Sequence, residues 1–160
     1  MSTSTTQIPT PQLAHAPDLT RRPPRSPRQR LGGFVLLPRM LDKGRATLIG
    51  KNGEYHFNCP LDQRFVQFTG IDAEALKSQL AQGLGDSEML EWIQKNATHP
   101  REAWEIAAWC AYQEARGPGD MDSREFFGEL LGKLTTTRED IAGWFDLLDL
   151  DDYVSYGGKA

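Results

Sequence analysis

Glycine and proline cut this chain into short pieces, and that punctuation limits the fold more than any other feature. Gly50, Pro60, Gly70, Gly83 and the Gly117-Pro118-Gly119 cluster fall between segments whose apolar residues recur three and four positions apart. That recurrence is the period of a helix with one face on a core. Helix breakers at such intervals mark where one helix ends and the next begins. They leave a set of short helices that must bury their apolar faces together. The longest apolar run is Phe34 to Leu37, far short of the roughly 20 residues a spanning helix needs.

The segments can be read one by one. Pro38 suits a first helical turn, and the helix is expected to run through Met40, Leu41, Gly44, Arg45, Leu48 and Ile49 to a stop at Gly50. Asn52-Gly53 is a tight-turn signal, with Glu54 to Phe57 extended beside it, so any hairpin is expected there. Pro60 opens a helix carrying Leu61, Phe65 and Phe68 and ending at Gly70. Asp72 caps the next, with Leu76 and Leu80 inward and Gly83 as its end. Asp86 caps one carrying Met89, Leu90, Trp92 and Ile93. Thr98-His99-Pro100 opens the longest, through Trp104, Ala107, Ala108, Ala111 and Tyr112 to Arg116. Asp122 and Glu125 have capping-box spacing before Phe126, Phe127, Leu130, Leu131 and Leu134. Thr137 and Asp140 resemble a weaker cap before Ile141, Trp144, Phe145 and Leu148. The last stretch, LDLDDYVSYGGKA, reads as a docked tail with Tyr153, Val154 and Tyr156 inward and Asp149, Asp151 and Asp152 in water.

Before the first helix the composition changes. Residues 1–17 are Ser-, Thr-, Pro- and Gln-rich and are expected to form a disordered tail. Residues 18–33 hold Pro23, Pro24 and Pro27 and are expected to form an extended Arg/Pro-rich arm jointed at Leu31-Gly32-Gly33. The remainder, 18–160 with the arm included, is expected to be a single helical domain, since 39% hydrophobic residues in 160 suit one core. The fold expected is all-α: an irregular bundle of about six or seven helices, at most one small β-hairpin, and the extended arm.

Charge separates arm from body. Residues 1 to 30 hold five Arg and one Asp, a net of +4, and the rest of the chain carries −8. Arg21, Arg22, Arg25, Arg28 and Arg30 suit phosphates, but the acidic body repels a polyanion and the arm has no aromatic residues for base stacking. Nucleic acid is therefore not the expected partner. The expectation is that the arm packs on the protein's own acidic C-terminal region, where Asp146, Asp149, Asp151 and Asp152 suit Arg forks. The opening residues MSTSTTQIPTPQ have neither the basic start nor the apolar core of a secretory signal, and Cys59 and Cys110 are no disulfide framework. A cytoplasmic, soluble chain with reduced thiols and no membrane partner is expected.

Three stretches carry a resemblance: DLTRRPPRSPRQRLGGFVLLPRMLDKGRA (Asp18 to Ala46), NGEYHFNCPLDQRF (Asn52 to Phe65) and WFDLLDLDDYVSYGGKA (Trp144 to Ala160). They resemble the bacterial family known as domain of unknown function 5069, over nearly the whole chain after the tail. The resemblance implies a bacterial, intracellular, helical protein. It implies no activity, substrate or catalytic residue.

The candidate chemistry centres on Cys59-Pro60. A thiol at a helix start lies near the partial positive charge of the free amides, which favours a thiolate. His56 lies three residues before it and Asp62 three after. These three are the catalytic candidates, and Arg39 and Lys43 are candidates for an anionic ligand. The competing readings are a small buried thiol at a loop–helix junction and, for Arg39, Asp42, Lys43 and Arg45, a solvated helix face. No Cys or His pair has metal-ligand spacing, so neither metal nor cofactor is expected. Trp92, Trp104, Trp109 and Trp144 read first as core residues. Trp104 and Trp109 lie on different faces of one helix, and Trp109 is the one expected nearer the surface. Glu102, Glu105 and Glu114 are expected to form that helix's wet side. The reading overall is a non-enzymatic binding or interaction protein of unknown partner; the alternative is a small enzyme or thiol protein centred on Cys59.

Overall fold

The computed structural model describes Leu13 and residues 15–160. Most of the expected tail lies outside the described residues. Among the described residues, seven helices follow one two-stranded antiparallel hairpin. They are α1 (Leu37–Leu48), α2 (Pro60–Thr69), α3 (Ala73–Leu80), α4 (Asp86–Asn96), α5 (Ala103–Ala115), α6 (Met121–Leu134) and α7 (Trp144–Ser155). The protein is thus mostly helical with one small hairpin.

The hairpin is not at Asn52. Its strands β1 (Arg30–Leu31) and β2 (Phe34–Val35) pair Arg30 with Val35 and Leu31 with Phe34, turning through Gly32 and Gly33. Both glycines have positive φ (58° and 85°), which a two-residue hairpin turn requires and L side chains resist. The Gly-Gly pair expected to be a loose joint is the turn. Asn52-Gly53 forms a turn without strands, Asn52 donating its side-chain amide to the Tyr55 carbonyl at 2.8 Å.

The chain packs as two compact units. One comprises the chain up to Thr20 together with Met40–Pro100; the other comprises Arg21–Arg39 with Arg101–Ala160. The division falls inside α1.

In the first unit the remainder of α1 joins α2, α3 and α4. Met40, Leu41, Phe65, Leu76, Leu80, Met89 and Ile93 are fully buried. α1 approaches Leu80 so closely that a Cβ on Gly44 would lie 2.5 Å from the Leu80 methyl, so any larger residue there requires the Leu80 side chain to move. The cap expected from Asp72 forms, its carboxylate accepting from the Ala75 amide at 2.7 Å.

In the second unit β2 lies on α5, and α6 lies on α7. Phe34, Val35, Cys110, Phe127, Phe145 and Leu150 form the core. Phe127 meets the Trp144 ring edge-on at 5.1 Å. Several boundaries differ from expectation. α5 begins at Ala103 rather than near Pro100, and α6 at 14 residues is the longest helix. α6 is capped by Asp120, whose carboxylate accepts from the Ser123 amide at 2.7 Å, rather than by Asp122. α7 begins at Trp144 after Gly143, so Thr137 and Asp140 cap nothing helical; Asp146 instead accepts from the Gly143 amide at 3.1 Å. The segment expected as a docked tail is helix through Ser155.

Candidate functional site

The start of α2 builds the expected cluster from two loop residues and one helical turn. Asn58 takes a left-handed conformation (φ 61°) and Cys59 an extended one, so Pro60 enters the helix at its first position. Asp62 then points back across the loop. One of its oxygens accepts the Asn58 backbone amide at 2.8 Å; the other accepts the Lys43 ammonium at 2.8 Å. The Lys43–Asp62 side chains are 3% and 2% exposed, a fully buried ion pair. Lys43 Nζ also donates to Cys59 Sγ at 3.3 Å. Cys59 is half-buried.

The structure therefore brings together three of the five candidates: Lys43, Cys59 and Asp62. It does not bring in the other two. His56 is exposed, and no hydrogen bond joins it to Cys59 or Asp62. Arg39, one turn before Lys43 on α1, belongs to another set. It grips Asp152 of α7 through both guanidinium nitrogens (2.7 and 3.3 Å) and donates to the Arg25 carbonyl at 3.1 Å. The solvated-face reading of α1 is wrong. Arg39, Asp42 and Lys43 are 3%, 9% and 3% exposed, and Arg45 donates to Asp86 at 2.7 Å and to the Leu84 carbonyl. Burial of charge is tolerable only with such partners.

Chemically, Asp62 has a donor on each oxygen, so it is not a free base, and Lys43 is neutralised by it. Beside the cluster, Asn58, Pro60, Gln63, Arg64 and Gln67 line a shallow polar groove over the first turns of α2. Among the described residues no group of three or more His, Cys, Asp and Glu is placed to hold a metal ion. None of the helices described is long and apolar enough to cross a membrane.

The arm's arginines meet acidic partners in the second unit. Arg28 pairs with Asp146 and, at 3.4 Å, with Asp149, its guanidinium lying 6.0 Å over the Phe145 ring. Arg30 pairs with Glu114 of α5 at 2.9 Å. Arg21 and Arg22 are exposed. Asp152, expected in water, is buried, and Tyr153, expected inward, is 58% exposed.

The other thiol is structural. Cys110 is fully buried under the hairpin, accepting from the Val35 amide at 3.4 Å and donating to the Gly33 carbonyl at 3.1 Å. Burial pushes its thiol up from the ordinary range.

The feature that sequence reasoning missed is the outer face of α5. Ile106, Trp109, Cys110 and Gln113 turn inward or lie part-buried, the Trp109 ring edge-on to Phe34 at 6.5 Å. Trp104, Ala107, Ala108, Ala111, Tyr112 and Ala115 are all exposed. Trp104 is 71% and Tyr112 61% exposed. Trp104 rather than Trp109 is thus the surface tryptophan. Glu105 and Glu114, expected as the wet side, flank this stripe half-buried, and Arg101 and Arg30 pair with them. The signal was present: α5 carries apolar residues on two faces, Ile106, Trp109 and Cys110 on one and Trp104, Ala108, Ala111 and Tyr112 on the other, more than one core-facing stripe needs.

No curated protein matches the sequence. The family model for domain of unknown function 5069 matches residues 21–154, which takes in the arm from Arg21, the hairpin, and α1 to α7 nearly to the end of α7. The chain belongs to the DUF5069 family, a domain of unknown function.

Proposed function

We propose that this protein is a non-enzymatic interaction protein whose contact surface is the outer face of α5. The observation that carries the reading is the charge-free exposed stripe Trp104, Ala107, Ala108, Ala111, Tyr112 and Ala115. A solvated helix face ordinarily carries charge, and contiguous exposed apolar area on a folded chain marks a place of contact. The cluster at α2 supports the same reading from the other side, since its carboxylate and ammonium neutralise each other in the interior. The setting we infer is the bacterial cytoplasm, on what the resemblance implies and on two unpaired thiols.

The test is site-specific photo-crosslinking. A benzophenone amino acid replaces Trp104 or Tyr112 in the intact chain inside the cell that makes it. Both positions are expected to give adducts on one common surface, and Ala108→Glu is expected to abolish them. Adducts no more frequent than at the exposed charged control Glu125 overturn the reading.

A second reading has one observation in its favour: Lys43 Nζ on Cys59 Sγ at a helix start. On that reading Cys59 alkylates faster than a free thiol at neutral pH, and Lys43→Met slows it at least tenfold. Equal rates in the native chain and a model thiol dispose of it.

A further inference from the structure

We infer that the occupant of the α5 face is a second copy of this chain, docked through α5 against α5 in antiparallel orientation about a two-fold axis. The inference rests on the reading of that face as the contact surface, and it goes further by naming the partner. What points to a second copy is the order of large and small residues along the stripe. Lay two α5 helices antiparallel with the axis at the level midway between Trp109 and Cys110. Trp104 of one then comes to the level of Ala115 of the other, Tyr112 to the level of Ala107, and Ala108 to the level of Ala111. Every large side chain meets a small one, and the crossing point is alanine on alanine. That is the arrangement that lets two helices approach closely with their projecting side chains seated in gaps. A parallel pair instead stacks Trp104 on Trp104 and Tyr112 on Tyr112, leaving the alanines separated by a gap.

The flanking charges allow the same geometry. Glu105 and Glu114 border the stripe, and each already has a cation, Arg101 at 3.7 Å and Arg30 at 2.9 Å. Bringing two copies together therefore does not oppose uncompensated carboxylates. An interface of this kind is isologous, the same patch serving both copies, so it closes at two.

The area sets the strength. Aromatic side chains contribute roughly 150–250 Å² each when fully covered. At the exposures of Trp104 and Tyr112, with the four alanines added, the stripe offers roughly 400–500 Å² per copy. A stable dimer covers about 800 Å² per partner. The association is accordingly weak and reversible, and needs high protein concentration to be populated.

Sedimentation equilibrium of the purified full chain from micromolar to millimolar concentration tests this. The mass is expected to rise from 18.0 kDa towards twice that value. Ala108→Glu is expected to weaken association at least tenfold while the helical circular dichroism stays unchanged. A mass of 18.0 kDa throughout overturns the inference, and leaves photo-crosslinking at Trp104 to decide separately whether the face binds another protein. Orientation is tested in a Cys59→Ser background by mixing Trp104→Cys and Ala115→Cys chains under mild oxidation. The mixed disulfide is expected. Disulfides of each variant with itself, and none between the two, overturn the antiparallel arrangement.

Discussion

α1 and α5 invert the usual rule in opposite directions. α1 takes Arg39, Asp42 and Lys43 into the interior; α5 leaves Trp104 and Tyr112 in water. The difference lies in what each side chain finds. Every buried cation of α1 has a carboxylate within hydrogen-bond reach, Asp152 for Arg39 and Asp62 for Lys43. The α5 stripe, among the described residues, is left exposed. Charge alone therefore does not sort residues to the surface, nor apolarity to the core; the availability of a partner does.

The sharpest way to break this contrast is to remove one member of the Lys43–Asp62 pair. Lys43→Ala leaves a carboxylate that is 2% exposed without its cation, and is expected to destabilise the fold by about 3–5 kcal/mol. Urea unfolding measures it. The double variant Lys43→Met/Asp62→Asn keeps an acceptor for the Asn58 amide and removes both charges, so it is expected to cost clearly less than Lys43→Ala alone. If the double variant costs more, the pair is not behaving as a buried ion pair.

Arg39→Lys is expected to have a smaller effect, about 1–3 kcal/mol. The charge remains, but the fork that reaches both Asp152 oxygens and the Arg25 carbonyl does not. A loss below 0.5 kcal/mol, an amount typical of surface substitutions, would place Arg39 in water instead.

Much of the scaffold was legible because the residues that end helices act locally. Pro60, Gly70 and Asp72 set the ends of α2 and α3 through their own backbone angles and caps, with no need of distant contacts. The hairpin was misplaced because Asn-Gly and Gly-Gly are both competent turns, and the choice was made by β2. Phe34 and Val35 are buried against α5, whereas of Glu54 to Phe57 two residues, Glu54 and His56, stay exposed. Within the candidate site, the nearness of Cys59 and Asp62 followed from their spacing at a helix start. Lys43 joining them and Arg39 leaving them did not. Side chains one turn apart on α1 reach partners 19 and 113 residues away, and no local pattern encodes such separations. The exposed face of α5 was hidden for a related reason. Helical periodicity shows that a residue is apolar and which face it shares, but a helix apolar on both faces does not say which face the chain itself covers.

Cys110 gives a pH-dependent effect of middling size. Burial raises its folded thiol above the ordinary value of 9.0. The unfolded chain then loses the proton first as pH rises, which favours unfolding, so the contribution is present in full below that value and is lost progressively above it. Stability measured from pH 7 to 10.5 is expected to show a smaller difference between the native chain and Cys110→Ala at the alkaline end than at pH 7. A constant difference across that range would mean that the thiol does not titrate differently in the two states.

The smallest effect belongs to the other side of the contrast. Trp104→Ser exchanges residues of similar helix propensity and, in the single chain, removes a ring that is 71% exposed. At low micromolar concentration, where the proposed association is largely dissociated, it is expected to change unfolding stability by less than about 0.5 kcal/mol. Phe145→Ala, which empties a fully buried site in the same unit, is the control and is expected to cost about 3–5 kcal/mol. As the concentration rises, the native chain gains stability by mass action while Trp104→Ser does not. A tryptophan that packs only within its own chain predicts the opposite on both counts: a large cost at the lowest concentration, and no change in that cost as more protein is added.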